Sequence, residues 1–421
     1  MIDSEFAGTA RHLASRLMSL ARFSSTGAPA WDGDDVDPVR FEQQGRPALV
    51  RGPLDDGLLT GRAGIAVALA ACYRLPGGSS AWSMLACQTM HSILDNRSAL
   101  QPGRLGWQSG ALGIARAAKL VGDLAGDATL LSAGRDYAAT AVQALRNNIA
   151  LCPSYADLLD GEAGHLAAVL GADLPATVEP ARQVVARQLV AQLAERAIRD
   201  ARGARWAMAG FAPSVVGLAH GGSGIALALS AAQASGIDSG GLIGDALRWE
   251  DGHYEASRGG GPDWRVHGRP AGFAWCHGAP GVGIAAAYRS TTIADPFAEI
   301  SYARARLAAA AHRPGGSAFD GTMCHGLTGV VELHLAGAEA WPSAATQHLR
   351  SARTVARYLT RAGSSGRPGW TCGVSGGRTP NVLVGLAGVA LTLVRCHDPA
   401  IVPSLAHPGL PAVAAYSVKR N

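Results

Sequence analysis

The chain has 421 residues, of which 48% are hydrophobic and 16% charged, so it can bury a large core. Its formal net charge of +5 is spread without a block of Lys or Arg, which argues against a nucleic-acid partner. Apolar stretches are interrupted by Gly, Arg and His, so none is suited to span a bilayer. Seven scattered cysteines disfavour a disulfide framework. The N-terminus lacks a secretory signal, so we expect a cytoplasmic protein.

The first 50 residues precede a repeated region that runs from about residue 54 to 395. A helix is predicted over residues 4–22, and an irregular acidic run, WDGDDVDP, follows at residues 31–38. This run is either a flexible lead-in or an outer helix partner with its loop. We expect residues 1–421 to form a single domain, in which the first 50 residues supply an N-terminal outer helix and loop.

A G-x-x-G string followed by a small, apolar, helix-favouring run recurs seven times. The first glycines lie 48 to 60 residues apart, which leaves room for two helices and two connections per unit. Intervening segments such as residues 181–199 have the apolar stripe and charged face of an outer helix. The seven first glycines are Gly61, Gly110, Gly161, Gly221, Gly278, Gly326 and Gly385.

Alternating inner and outer helices predict an all-α fold, an α/α toroid (barrel) of seven inner and seven outer helices. The paired glycines would let the backbone turn sharply and approach its neighbour, because a residue without Cβ accepts positive φ and tight contact. An open solenoid is the structural alternative, which the lack of polar capping repeats disfavours. Two Gly/Pro-rich stretches with Trp, residues 247–272 and 362–381, are predicted as long rim loops or small hairpins.

Several chemically capable residues share offsets from the first glycine of their repeat. His220, His277 and His325 lie one residue before it, and Cys276 and Cys324 lie two before it. Thiolate sulfur and imidazole nitrogen are ligands that Zn²⁺ prefers, whereas Ca²⁺ and Mg²⁺ prefer oxygen. The repeated Cys-His pair therefore predicts either an open Cys₂His zinc site or a closed Cys₂His₂ site.

Each residue also has a simpler structural interpretation. The cysteines could be small buried residues, and a histidine before a glycine could end a helix. Asp157, four residues before Gly161, could cap the next turn. Two Cys-His copies at the same offset favour a metal site over these simpler interpretations. Asp157 and His220 would lie at the same end of the toroid as that site, which favours acid/base roles for them. The tryptophans at 249, 264, 275 and 370 are either walls for a peptide or core anchors.

The ordered strings AHGGSG, WCHGAPG and MCHGLTG, within seven G-x-x-G helical repeats, resemble the lanthionine synthetase C-like (LanC-like) cyclases. The resemblance covers residues from about 54 to 395. It implies an α/α barrel whose Zn²⁺ is held by Cys276, Cys324 and His325. It also implies that His220 is the active-site histidine and Asp157 the acidic residue.

The reaction implied by this resemblance is a Michael-type addition of a peptide cysteine thiol to dehydroalanine or dehydrobutyrine, which closes a (methyl)lanthionine thioether ring. His220 would act as acid or stabilise the enolate, Asp157 would orient it or accept the thiol proton, and His277 would contact the enolate oxygen or replace a ligand. The implied partners are a dehydrated precursor peptide, made of leader and core, and separate dehydratase or kinase/lyase enzymes. A membrane-associated biosynthetic complex is compatible with these partners.

A departure from the family pattern and three alternative functions remain open. The family often has Arg four residues before the first zinc cysteine, where this chain has Gly272, and Arg265 or Arg269 would be the substitutes. An enzyme that adds glutathione or another small thiol to dehydrated residues would use the same site. A non-catalytic, peptide-binding scaffold would use zinc only to join the fifth and sixth repeats. Glycosidase or terpene-type chemistry is disfavoured, because only Asp157 and Asp160 approach the required carboxylate pair.

Overall fold

The computed structural model describes residues 2–36, 49–97, 100–101, 103–207, 215–256, 261–266, 269–293, 295–311, 320–364, 372 and 378–409. The side chains of residues 2–4, 36, 269 and 362–364 lie outside this description.

Fourteen α-helices dominate the described part of the chain, and they alternate between two environments. The even-numbered helices are buried along almost their whole length, whereas the odd-numbered ones keep a solvent-exposed face. In chain order they are α1 (Ile2–Ser19), α2 (Arg62–Tyr73), α3 (Ser80–Asn96), α4 (Ala111–Ala125), α5 (Ala128–Asn147), α6 (Glu162–Gly171), α7 (Glu179–Arg196), α8 (Gly222–Ala234), α9 (Leu242–Asp251), α10 (Ala279–Thr292), α11 (Ala298–Ala311), α12 (Leu327–Ala340), α13 (Ala345–Ser364) and α14 (Leu386–His397).

The seven even-numbered helices form a closed inner ring. Each packs against the next along the chain, and α14 packs back against α2. Helix α1 covers the closing junction, because it packs on both α14 and α2. This arrangement confirms the predicted α/α toroid with seven inner and seven outer helices and excludes the open solenoid.

The paired glycines serve close contact rather than positive φ. Each inner helix begins directly after the first glycine, which has an extended backbone, with φ of −127° at Gly278 for example. The second glycine of each string faces a backbone carbonyl from its own preceding loop. At Gly281 a Cβ would lie 2.1 Å from the carbonyl oxygen of Trp275, so a larger residue could not occupy this position without moving the loop.

Backbone hydrogen bonds join the loops before the inner helices into a ring around one end of the toroid. The amide of Ala219 donates to the carbonyl of Cys276 at 2.9 Å, and the amide of Cys324 donates to that of Leu383 at 3.0 Å. Leu383 in turn donates to Leu59 of the first repeat at 2.9 Å. We call this set of loops the rim. Residues at one repeat offset are thereby held beside each other, as in neighbouring strands.

Short strands lie between some of the helices, and several of them differ from what the sequence predicted. The nine strands among the described residues are β1 (Arg22–Phe23), β2 (Pro29–Ala30), β3 (Asp32–Val36), β4 (Leu49–Pro53), β5 (Ile198–Asp200), β6 (Gly203–Arg205), β7 (Tyr254–Glu255), β8 (Asp263–Val266) and β9 (Arg269–Pro270). Residues 32–36 of the acidic run predicted as irregular form β3, antiparallel to β4, and residues 37 and 38 lie outside the described residues. The helix predicted to reach residue 199 ends at Arg196, because β5 and β6 form a hairpin there.

The two predicted rim loops differ from expectation in part. The first begins within α9 and continues as the antiparallel sheet β7–β8–β9. The second is helical through Ser364, the end of α13, and residues 365–371 and 373–377 lie outside the described residues. Among the described helices, none combines the length and apolar composition needed to cross a lipid bilayer.

Candidate metal centre

The repeat geometry brings the predicted ligands together at the rim. Cys276 and Cys324 occupy the same offset in neighbouring repeats, and the amide of Trp275 donates to the carbonyl of Cys324 at 2.8 Å. Both cysteines are buried, with exposed fractions of 3% and 6%, whereas His325 faces solvent. The thiols therefore lie below the surface of the rim and the imidazole lies above them.

The donor atoms of Cys276, Cys324 and His325 all lie within 4.8 Å of one another. Tetrahedral zinc, with bonds of about 2.3 Å to sulfur and about 2.0 Å to nitrogen, separates its ligand atoms by roughly 3.5–3.8 Å. Cys324 Sγ lies 3.5 Å from His325 Nε2, within that range. The donor chemistry fits zinc, and so does this sulfur–nitrogen distance, so the three residues form a candidate metal site.

The sulfurs are electrostatically unequal. The pKa of Cys276 is lowered well below its ordinary value, first by a hydrogen bond from the Cys324 thiol and then by hydrogen bonds from His277 and His325. That bond and burial raise the pKa of Cys324. The pKa values of both histidines are raised, mainly by their hydrogen bonds to the Cys276 sulfur. These contacts favour the charged form of the Cys276 sulfur over that of the Cys324 sulfur.

His277 lies beside the triplet. Its Nδ1 is 3.0 Å from Cys276 Sγ, and its ring centroid is 6.2 Å from that of His325. The group of mutually close donor atoms comprises Cys276, Cys324 and His325 without it. This geometry places His277 as a hydrogen-bond partner of the first sulfur.

His220 and Asp157 pair on the two preceding rim loops. His220 Nδ1 lies 3.0 Å from Asp157 Oδ2, and both side chains are largely buried. The other carboxylate oxygen of Asp157 accepts the amides of Asp160 and Gly161, at the start of α6. The amide of His220 also contacts the carbonyl of Cys276 at 3.3 Å, which joins the His-Asp pair to the metal loop.

Asp160 is a second acid near this pair. Burial raises its pKa to about 6, and the neighbouring Asp157 carboxylate adds to the effect. Its carboxylate accepts a hydrogen bond from the Ser109 hydroxyl at 3.3 Å. Asp160 thus carries a proton more readily than an ordinary aspartic acid at mildly acidic pH.

Glu250 on α9 supports the His220 loop from behind. Its Oε1 accepts the amide of Gly217 at 3.1 Å and the hydroxyl of Ser223 at 2.8 Å. Gly217 has a φ of +105°, and a Cβ there would lie 2.6 Å from the Cα of His277, so this close approach requires glycine. Burial raises the pKa of Glu250 to about 7. No motif pointed to Glu250, because it lies on an outer helix outside the repeated strings.

A family model described as "Lanthionine synthetase C-like protein" matches residues 52–406. The chain belongs to the lanthionine synthetase C-like family. Its fold is also similar to a solved structure named "Nisin cyclase", with 18% sequence identity and a TM-score of 0.57 over 82% of this chain and 89% of that one. No curated protein sequence matches the chain.

The position that departs from the LanC-like pattern has a backbone explanation. Gly272 has a φ of +74°, a conformation that side-chain-bearing residues rarely adopt. Its amide donates to Asp263 Oδ2 at 2.9 Å, which fixes the turn before the metal loop. Of the two substitutes, Arg265 forms an ion pair with Glu255 at 3.3 Å in the rim sheet. The Arg269 side chain lies outside the described residues.

Burial decides between the two interpretations of the tryptophans in this LanC-like chain. Trp249, Trp264 and Trp275 have exposed fractions of only 4%, 0% and 0%. They are core anchors and do not form walls of an open peptide groove. Trp370 lies outside the described residues.

Proposed function

We propose that this protein is a zinc-dependent lanthipeptide cyclase. It adds the cysteine thiol of a dehydrated peptide to dehydroalanine or dehydrobutyrine and so forms a (methyl)lanthionine ring. The observation that carries the proposal is the convergence of Cys276, Cys324 and His325 beside the His220–Asp157 pair on consecutive rim loops. Family membership and the nisin cyclase fold support it.

Cys276, Cys324 and His325 are the residues that would hold zinc. An ordinary cysteine thiol has a pKa of about 8.5, so little of it is thiolate at neutral pH. When bound, zinc supplies the Lewis acidity that lowers the pKa of an incoming thiol while its two thiolate ligands keep that sulfur electron-rich. His277 forms a hydrogen bond with the Cys276 sulfur and so orients that ligand.

The remaining chemistry is proton transfer. The substrate thiol loses its proton, its sulfur bonds to the β-carbon, and the double-bond electrons form an enolate that gains a proton at the α-carbon. Asp157 holds His220 through Nδ1, so Nε2 is the atom assigned to exchange a proton with the substrate. The proton count balances, because the proton lost by the thiol equals the one gained by carbon.

The proposed substrate is a precursor peptide with leader and core, dehydrated by a separate dehydratase or kinase/lyase enzyme in the cytoplasm. The addition forms a ring only when thiol and dehydrated residue share one peptide. An added small thiol such as glutathione would instead give a linear adduct.

The test uses a synthetic peptide with one cysteine and one dehydroalanine, incubated with the zinc-loaded protein and then alkylated. We expect cyclisation to remove the alkylatable thiol without changing the peptide mass. Cys324→Ala should slow it at least about a hundredfold, because a metal ligand is lost. Cys87→Ala, on outer helix α3, is the control.

Wild-type protein that leaves the thiol alkylatable would contradict the proposal. So would full activity of Cys324→Ala. A parallel incubation with glutathione tests the alternative, since a glutathione adduct without cyclisation would assign the site to small-thiol addition.

A further inference from the structure

The segment after α14 enters the inside of the ring. We call residues 398–409 the axial segment. Val402 and Ala406 are fully buried, and His407 is 5% exposed. Because the segment has no regular secondary structure, its burial depends on partners from the surrounding inner helices.

These partners come from helices spread around the ring. Arg116 on α4 donates hydrogen bonds to the carbonyls of Ser404 and His407. The Ser404 hydroxyl donates to Glu332 on α12 at 2.8 Å, and the His407 ring lies 3.8 Å from that of Tyr288 on α10. Helices α10 and α12 are neighbours in the ring, whereas α4 lies on another side of it, so contacts from two separate sectors place the segment inside the ring.

The axial segment also reaches the metal loop. The indole N–H of Trp275 donates to the carbonyl of Ala406 at 3.1 Å, and the side chain is fully buried. Trp275 directly precedes Cys276, and its amide donates to the carbonyl of Cys324. One residue therefore connects the axial segment to the backbone of both cysteines.

We propose that the axial segment is an internal support of the metal centre and that Trp275 is the positioning residue through which it acts. The indole–carbonyl bond fixes the height and rotation of the loop that presents Cys276 towards Cys324. Hydrogen bonds made directly to metal ligands orient them, and their loss typically weakens metal binding by about 10–100-fold. The indole–carbonyl bond acts one step further out, on the backbone that carries the ligand, and its loss is expected to weaken binding in the same direction. The inference rests on the metal centre of the proposed function and concerns metal affinity alone.

The chain offers a matched control. Trp107 and Trp275 both lie three residues before the first glycine of their repeats, and the indole N–H of Trp107 also donates to a buried carbonyl, that of Leu158. The loop of Trp107 carries no candidate ligand. Trp275→Phe and Trp107→Phe therefore remove equivalent hydrogen bonds, and a loss of folding stability alone would affect both.

Zinc affinity is measured in the full chain, without peptide, by competition with a chromophoric chelator, and the absorption spectrum of the Co²⁺-substituted protein reports ligand geometry. We expect Trp275→Phe to raise the zinc Kd at least about tenfold and to alter the Co²⁺ spectrum. Trp107→Phe should stay within about twofold of wild type.

A second pair tests the segment away from the metal loop. Ser404→Ala removes the hydroxyl that bonds Glu332 and accepts the amide of Ala406, and we expect a weaker rise in zinc Kd. Ser230→Ala, which removes a buried hydroxyl from α8, should leave the Kd unchanged.

Wild-type zinc affinity in Trp275→Phe, or an equal loss in Trp107→Phe, overturns this inference and leaves the cyclase proposal intact. A wild-type chain that binds no zinc overturns both. If the zinc Kd changes as expected in these variants but the protein does not cyclise the peptide, the role of the axial segment is supported and only the cyclase proposal is contradicted.

Discussion

Asp157 has two roles that the sequence presented as alternatives. One carboxylate oxygen accepts the amides of Asp160 and Gly161 in the turn before α6, and the other oxygen forms a hydrogen bond with His220. The two roles reinforce each other, because the bonds within the turn fix the carboxylate and the carboxylate then fixes the imidazole. A single aspartate thus connects a structural feature of one repeat to the chemistry of the next.

We predict that Asp157→Asn lowers kcat for cyclisation at least about tenfold and leaves zinc affinity unchanged. The amide loses the negative charge that stabilises a protonated His220 and no longer selects the Nδ1–H tautomer. Steady-state kinetics and the zinc competition assay give the two readouts.

Asp127→Asn is the matched control for this prediction. Like Asp157, Asp127 accepts backbone amides through one oxygen, here at the start of α5, and forms a hydrogen bond with a histidine, His91, through the other at 3.1 Å, but it lies on the outer layer. Equal kcat losses in the two variants would assign the effect of Asp157 to folding alone.

The candidate site could be predicted from the sequence because each repeat offset corresponds to one position on the rim. Cys276 and Cys324 share an offset, and the rim hydrogen bonds turn that shared offset into proximity. Gly272 was harder to interpret, because its departure from the family pattern has a conformational reason that only φ reveals.

At the scale of elements, the helices were predictable and the strands were not. The G-x-x-G strings gave the starts of the seven inner helices, and the helices predicted over residues 4–22 and 181–199 were correct to within three residues at each end. Strand β3, in the acidic run, was not predicted, because no alternating apolar pattern marks it. Its partner β4 also lies on the far side of residues 37–48 in the sequence. Glu250 was missed because its role depends on α9 packing behind α8.

We predict that Glu250 makes the folding stability depend on pH and that Glu250→Gln weakens this dependence. Its pKa rises from an ordinary 4.5 to about 7, so the folded chain keeps a proton that the unfolded chain releases between these values. The folded state is therefore stabilised at low pH and loses up to roughly 3 kcal/mol as the pH rises through this window. Nearby Arg289 reduces this loss by favouring the charged form.

Thermal midpoints at about pH 5 and about pH 8 provide the measurement. Glu250→Gln retains an oxygen that can accept the Gly217 and Ser223 hydrogen bonds, so its midpoint should fall less than that of wild type over this interval. Glu195→Gln, on the exposed face of α7, should follow wild type. An unchanged pH dependence in Glu250→Gln would rule out this carboxyl as the cause.

At the scale of the whole molecule, the closure of the ring was predictable, but the position of the axial segment inside it was not. Seven repeats without polar capping units implied closure, because an open array needs polar ends. The axial segment has neither repeat nor periodicity, and its position becomes evident only from contacts such as Arg116 with Ser404. The toroid is thus held together by packing, rim hydrogen bonds and an internal segment.

This architecture predicts that zinc is dispensable for folding. Chelation should leave the helical circular dichroism signal intact, because the inner ring closes through helix packing and the Leu383–Leu59 rim bond, neither of which involves the metal ligands. The thermal midpoint should fall by only a few degrees, since zinc at about a hundred times its Kd adds about 2.7 kcal/mol of stability. Cys324→Ala should show no response to added zinc. Loss of helix on chelation, as in a zinc finger, would instead assign the metal a structural role and favour a zinc-joined scaffold over an enzyme.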